Sequence, residues 1–323
     1  MKIYFDTNIY DFIADTNEVS DVRDFFSKHA HDIQASETNL FETYVIPDKD
    51  RCRNQLQVLT TIATSFGSKP QSWFQAMEVL KEIKNSRSQW LRKPISQERL
   101  VLSKYLIKRH LENWNRAKSL EIPLTSQFKV YRNDFEEGIH QLKGSQKEFR
   151  DSILINNTNV ILASQKKSGQ IEEHLKGDLT DPEFYWRTEN LIIWHQALIR
   201  KNPASRDYLD WLSPFIIDDA FSSPTYTNFW MRSVRSHKVN KTRLSSLTSF
   251  YQLQKQITHG NGGDQIHACH LLDVDIFFTA DVAFFHVLQQ LSNHFSNCAE
   301  IILIDRKASS IMNQFQAIRK LHV

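Results

Sequence analysis

Apolar and polar positions follow two different patterns along this chain of 323 residues. Near the start, two short stretches, 2–5 and 32–35, have the character of strands, and each is followed by apolar side chains at helical spacing. Ser36 stands where a helix N-cap is expected. From about residue 60 to residue 248 the spacing is mainly helical, with breaks close to prolines. Helices are predicted there over 73–83, 95–114, 128–142 and 184–199, and a polar loop over 145–177.

Strands and helices alternate again in the last third of the chain. The predicted elements are helices at 244–257, 264–272 and 282–294, a glycine-rich turn at 259–263, and strands at 276–278 and 301–304. Because strands that alternate with helices form parallel sheets, both ends of the chain are expected to build one sheet. We therefore predict a discontinuous α/β domain, 1–58 and 246–323, with an all-helical insertion, 59–245, that has a role in substrate binding.

Composition excludes several classes of protein. An apolar fraction of 41% argues against disorder. The three cysteines lie far apart without a CxxC pair, which favours neither a zinc site nor a disulfide framework and fits a reducing cytoplasm. Asp6, Asp11 and Asp15 interrupt any signal-peptide core, and no apolar run of about 18 residues occurs, so no membrane span is predicted.

Local charge is uneven, although the formal net charge is only +3. Lysine and arginine dominate 81–118 and 226–243, and such stretches either bind phosphates or form solvated helix faces. Trp230 has basic neighbours and is expected to be exposed for base stacking. The candidate nucleic-acid-binding residues are Arg92, Lys93, Arg99, Trp230, Arg232, Arg235 and Lys238.

Four acidic residues stand close to the expected edge of the sheet. Asp6 follows the first strand, Asp281 follows a later one, Asp264 opens a helix after two glycines, and Glu42 comes six residues after Ser36. Open parallel sheets form their sites beyond the carboxyl ends of the strands. Carboxylates that converge there would repel one another, and a hard cation such as Mg²⁺ or Mn²⁺ relieves that repulsion.

Four stretches in this order carry a family resemblance. They are Phe5-Asp6-Thr7-Asn8, Ser36 followed by Glu42, Asp264-Gln265-Ile266-His267-Ala268, and Phe278-Thr279-Ala280-Asp281 before Phe284. Over about residues 1–46 and 250–305, the sequence resembles the PIN-domain nucleases, a family that includes many bacterial toxin ribonucleases. Those toxins are usually less than half this length, so the resemblance does not extend to the helical middle or to the choice of substrate.

The resemblance implies a three-layer α/β fold and hydrolysis of phosphodiester bonds, most often in RNA, with DNA as the other substrate. It implies that Asp6, Glu42, Asp264 and Asp281 are the catalytic acids and hold one or two Mg²⁺ or Mn²⁺ ions. Thr7, Asn8 and Thr279 match the polar residues that orient such acids. By analogy, an inhibitory antitoxin or regulatory protein is an expected partner; the sequence leaves the oligomeric state open.

Structural alternatives remain at each of these positions. Asp6, Asp264 and Asp281 are all placed to cap or begin helices, and Glu37 competes with Glu42. His267, one helical turn after Asp264, is predicted either to contact a substrate phosphate or move a proton, or to be a buried structural histidine. Two other functions also stay open, a flap-endonuclease-like DNase and a catalytically inactive RNA-binding scaffold.

Overall fold

The computed structural model describes residues 1–122, 133, 144, 178, 180–199, 206–221, 225–255 and 261–322. The chain begins with β1 (Lys2–Phe5), α1 (Thr7–Thr16), α2 (Val19–Lys28), β2 (Asp32–Ala35), α3 (Glu37–Tyr44), α4 (Lys49–Ile62) and β3 (Ser65–Phe66). It continues with α5 (Gln71–Ser86), α6 (Gln97–Lys118), α7 (Pro182–Ile199), α8 (Arg206–Leu212), α9 (Tyr226–Asn228) and α10 (Asn240–Leu253). It ends with α11 (Asn261–Ala268), β4 (Ile276–Thr279), α12 (Val282–Ser292), β5 (Glu300–Leu303) and α13 (Ile311–Ala317).

The strands form one five-stranded parallel sheet in the order β3-β2-β1-β4-β5. The first strand therefore lies at the centre, hydrogen-bonded to β2 on one side and to β4 on the other. The predicted α/β fold, with a parallel sheet drawn from both chain ends, is confirmed. The strand β3 was missed, because two residues are too short to produce a period in the sequence.

Alternation along the strands sends side chains to two buried faces. Ile3, Phe5 and Phe278 belong to a large apolar core with residues of α1, α2, α4 and α13. On the opposite face, Tyr4 stacks on the His270 ring, with centroids 4.1 Å apart. Fully burying a side chain such as Phe5 stabilises the fold by roughly 1.5–3 kcal/mol, so these contacts hold β1 firmly in the centre.

The chain divides into two compact units. The first, Met1–Pro70, Arg109–Ile139 and His259–Val323, contains the whole sheet. Residues 59–70 and 109–122, which were predicted to lie in the insertion, belong to this unit, where the ring of Phe66 stacks on Trp114 at 4.7 Å. The second unit comprises Gln71–Lys108 and His140–Thr258. It therefore includes residues 246–255, which were predicted to lie in the α/β domain.

The second unit is built from helices in its described residues, with one antiparallel bridge between Leu91 and Ile216. Its core is rich in tryptophan, as expected for an aromatic-rich helical segment. The buried tryptophans are Trp90, Trp186, Trp194, Trp211 and Trp230.

The predicted helix at 128–142 and loop at 145–177 lie almost entirely outside the described residues. The predicted turn at 259–263 is wrong in its second half, because α11 already begins at Asn261 and Asp264 lies in its first turn. In the described part of the chain, no helix has the length and apolar character needed to cross a membrane.

Candidate metal centre

The central strand and its neighbour β4 end side by side, and this edge carries the acidic residues. Asp6 directly follows β1, while Thr279 is the last residue of β4 and Asp281 comes two residues later. The strands β2 and β3 lie on one side of β1, and β4 and β5 lie on the other. The ends of β1 and β4 are therefore a topological switch point, where open α/β sheets form crevices. Asp6 lies there with only 5% of its surface exposed.

Short polar side chains fix the orientation of Asp6. Its Oδ1 accepts the Thr7 backbone N–H at 2.7 Å, and its Oδ2 accepts from Asn8 Nδ2 at 2.7 Å and from Thr279 Oγ1 at 2.8 Å. Asn8 Oδ1 in turn accepts the Ala280 N–H at 2.8 Å, which joins the start of α1 to the end of β4. Asp6 is therefore the N-cap of α1 and at the same time a fixed carboxylate at the sheet edge.

Glu42 and His267 come to the same place from two other helices, α3 and α11. The Nε2 atom of His267 lies 2.9 Å from Glu42 Oε2 and 3.6 Å from Asp6 Oδ1. One ligand atom from each of these three residues lies within 4.8 Å of the others, which is close enough to share a metal ion. His267 is completely buried.

The other two predicted acids differ in their surroundings. Asp264 is buried, and burial raises its pKa well above the usual value. The charges of Asp6, Glu42 and Asp281 add to this rise, and His267 opposes it. Asp281 is partly exposed and caps α12, with Oδ1 accepting the Phe284 N–H at 2.9 Å. The other three acids thus all lie close enough to Asp264 to raise its pKa.

Burial and mutual repulsion set the protonation of this centre. Burial raises the pKa of Asp6 to about 6, with His267 opposing the rise and Glu42 adding to it. Burial by itself lowers the pKa of His267, but Glu42, Asp6 and Asp264 outweigh burial and raise it to about 9. Burial thus disfavours the ionised form of Asp6, while the surrounding carboxylates favour the charged form of the His267 ring.

A hydrogen-bonded chain behind His267 was not found from the sequence. Tyr4 OH lies 2.6 Å from His267 Nδ1 and 2.7 Å from Ser36 Oγ. Ser36 and Asn39 form a capping box, and Asn39 Nδ2 donates to Phe5 O at 3.2 Å and to Thr7 Oγ1 at 3.1 Å. The available signals were a polar aromatic within an apolar strand and an amide three residues after the N-cap, which is the capping-box position.

Gly263 makes room for the Glu42 carboxylate. A Cβ at this position would lie 2.0 Å from Glu42 Oε1 and 3.0 Å from Thr38 Cγ2. Glycine therefore lets the Glu42 carboxylate lie against the first turn of α11, whereas a side chain at this position would force that carboxylate to move. The sequence contains the glycine, but not the contact that requires it.

The competing acids lie elsewhere in the same unit. Glu37 Oε2 lies 3.4 Å from His110 Nδ1, and Asp11 lies 4.0 Å from Arg51. Asp275 accepts the Lys2 N–H at 2.7 Å at the opposite end of β4. Of the two glutamates in α3, Glu42 is the one that reaches Asp6 and His267.

Several candidate nucleic-acid-binding residues are engaged within the second unit. Arg99 makes a two-pronged contact with Asp218, with atoms 2.6 and 3.2 Å apart, and Arg92 lies 3.1 Å from the same carboxylate. Arg235 pairs at 2.7 Å with Glu82, which is 1% exposed. The acids that neutralise these arginines are up to 153 positions away, so a local count of basic residues did not reveal them.

The expected exposure of Trp230 is wrong. Its side chain is fully buried and packs on Trp194, with ring centroids 6.0 Å apart. Burying this large aromatic side chain in the helical core is more favourable than leaving it in water, despite its basic neighbours in the sequence. Lys93, Arg232 and Lys238 are exposed, as a phosphate contact requires.

Comparisons with protein-family models, with curated proteins and with solved structures give no significant match for this chain.

Proposed function

We propose that this protein is a metal-dependent nuclease of the PIN type that hydrolyses phosphodiester bonds, with RNA as its substrate. The observation that carries the proposal is the meeting of Asp6, Glu42 and His267 within 4.8 Å at the switch point of a parallel sheet. Asp264 is buried beside them, and Asp281 follows the adjacent strand. The proposal assigns these four acids the role of the family's acidic quartet.

The residues fit a divalent cation on two grounds. The donor set combines buried carboxylates with an imidazole, and both are common metal ligands. Gly263 leaves space against Glu42 that any side chain would fill. When bound, such an ion activates water and neutralises charge on the phosphate oxygens.

The chain's own residues would have separate roles in this reaction. Asn8 and Thr279 hold Asp6 Oδ2, so that Oδ1 faces Glu42 and His267. The N-terminus of α1 and that of α12 meet at this edge, and helix N-termini favour the negative charge of a phosphate. Exposed lysines and arginines of the second unit, such as Lys93, Arg232 and Lys238, would bind the nucleic-acid backbone.

A cleavage assay tests the proposal directly. Single-stranded RNA, single-stranded DNA and a DNA flap are incubated with the full chain and Mn²⁺ or Mg²⁺, and Asp6→Asn and Asp264→Asn are compared with wild type. Asp275→Asn is the matched control, because this acid lies at the other end of β4. We expect RNA cleavage that falls by about 100-fold or more in the two site variants and persists in the control.

Other outcomes would favour the rival functions. Cleavage of the flap alone would indicate a structure-specific DNase. RNA binding without turnover under any metal condition, unchanged in Asp6→Asn, would indicate a binding scaffold. Toxicity on expression that Asp264→Asn relieves would support a toxin or defence role with an inhibitory partner, while harmless expression of active enzyme would contradict it.

A further inference from the structure

The polar contacts behind His267 determine which ring nitrogen carries the proton when the ring is neutral. Asn39 Oδ1 accepts the backbone N–H of Ser36 at 2.9 Å, which identifies it as the amide oxygen. The same Oδ1 lies 3.0 Å from Ser36 Oγ, so the Ser36 hydroxyl donates its only proton there. Ser36 Oγ can then only accept from Tyr4 OH, at 2.7 Å.

This leaves one arrangement for Tyr4 and His267. Since the Tyr4 hydroxyl gives its proton to Ser36, its oxygen must accept from His267 Nδ1–H at 2.6 Å. A neutral His267 then carries its lone pair on Nε2, which faces Glu42 and Asp6. Metal-binding histidines usually have this arrangement, with the second ring nitrogen donating to a fixed partner.

The spacing of the three ligand atoms fits a shared ion. In an octahedral site with bonds of about 2.1 Å, adjacent ligand atoms lie roughly 3 Å apart and opposite ones roughly 4 Å apart. His267 Nε2 lies 2.9 Å from Glu42 Oε2 and 3.6 Å from Asp6 Oδ1. The first separation is that of adjacent ligands around one ion, and the second lies between the adjacent and the opposite distance. In the metal-free protein a proton on Nε2 donates to Glu42 Oε2 at this distance, and a bound ion would take the place of that proton.

We propose that His267 is itself a metal ligand through Nε2, together with the carboxylates of Asp6 and Glu42. This inference rests on the proposed function. The nitrogen ligand makes this a mixed site that takes a first-row transition ion such as Mn²⁺ in preference to Mg²⁺. Imidazole favours transition ions, whereas Mg²⁺ is bound almost entirely by oxygen. Tyr4 is a positioning residue that acts through His267.

Pulsed electron paramagnetic resonance of bound Mn²⁺ tests coordination by nitrogen, independently of activity. The chelator-treated full chain is titrated with Mn²⁺, and the spectrum of the bound ion is examined for ¹⁴N coupling. We expect coupling in wild type that changes on ¹⁵N-histidine labelling, disappears in His267→Gln and remains in His286→Gln. His286 is exposed on α12 and serves as the matched control.

Metal affinities of two further variants test the positioning role of Tyr4 and the preference for Mn²⁺ over Mg²⁺. Tyr4→Phe should retain the coupling and raise the Mn²⁺ Kd by about 10- to 100-fold, the usual effect of removing a partner of a metal-bound histidine. In His267→Asp, an all-oxygen site, Mg²⁺ should displace Mn²⁺ at a smaller excess than in wild type. An unchanged Kd in Tyr4→Phe would overturn the positioning role, and an unchanged Mg²⁺ excess would overturn the stated preference.

Failure of this inference can be distinguished from failure of the proposed function. Tight Mn²⁺ binding without histidine coupling, or with coupling that survives in folded His267→Gln, would overturn coordination by His267 and leave an all-carboxylate nuclease. A folded wild type that binds no Mn²⁺ would contradict both. The wild-type labelling result decides histidine coordination even if His267→Gln does not fold.

Discussion

The Nε2 atom of His267 lies 2.9 Å from Oε2 of Glu42, although the two residues are 225 positions apart. The contact joins α11 to α3 at the edge where β1 and β4 end. It brings a base and an acid from two chain segments to the Asp6 carboxylate. The chemistry of this centre therefore depends on how these elements pack.

Asp6→Asn should separate stability from metal binding. The change removes a buried charge but loses the hydrogen bond from Asn8, so we expect the metal-free Tm to change little. In wild type, Mn²⁺ at about 100 times its Kd adds about 2.7 kcal/mol of stability and raises Tm by several degrees. Thermal unfolding with and without Mn²⁺ should show that rise in wild type and Asp275→Asn only. A full rise in Asp6→Asn would place the ion elsewhere.

Gly263→Ala should damage the centre while leaving the sheet intact. The new Cβ would meet Glu42 Oε1 at 2.0 Å and force this flexible side chain to move. We expect the Mn²⁺ Kd to rise by about tenfold or more, as for other changes that misplace a ligand. Gly67→Ala is the control, because its Cβ would meet nothing closer than 3.6 Å. Isothermal titration of Mn²⁺ into both variants measures the difference in Kd. Equal affinities would contradict the role of Gly263 in making room for the Glu42 carboxylate.

The metal-free protein should lose stability as the pH rises from about 6.5 to about 9. Burial lowers the pKa of His267, but the acids Glu42, Asp6 and Asp264 raise it to about 9, whereas an unfolded histidine titrates near 6.5. Between these values the folded state holds a proton that the unfolded state lacks. Stability from this group is complete below the window and is lost through it, by roughly 3 kcal/mol at most.

The measurement of this pH effect compares Tm in chelator at pH 6.5, 8 and 9.5 for wild type and His267→Gln. Wild type should show the steeper decline. Glu189 of the second unit, whose pKa burial raises to about 7, is present in both proteins, so its contribution cancels in the difference. Parallel curves for the two proteins would mean that His267 is not protonated at neutral pH.

Exposed cations of the second unit should govern nucleic-acid affinity. Arg232→Gln and Lys238→Gln are expected to weaken RNA binding about equally for all sequences, and each should reduce the salt-dependence slope by about one unit. Arg99→Gln should affect stability more than binding, because Arg99 is paired with Asp218. Fluorescence anisotropy at several salt concentrations provides the test, and a sequence-dependent loss would contradict simple phosphate contacts.

The sequence by itself determined the fold class and part of the site. Apolar runs ending at Asp6 and shortly before Asp281 predicted parallel strands, and β1 and β4 lie at those positions. Ser36 is the helix cap that its position predicted. These features depend on local spacing, which fixes the period of a strand or helix and the end of an element.

Only the tertiary structure decided which acids share a centre and which cations are neutralised. Glu37 and Glu42 lie in the same helix about 140° apart around its axis, and packing turns one toward His110 and the other toward His267. The pairing of Arg235 with the buried Glu82 was equally hidden. Such pairs form between distant segments, and their energies depend on burial and on distances of a few ångströms, neither of which is encoded in local residue spacing.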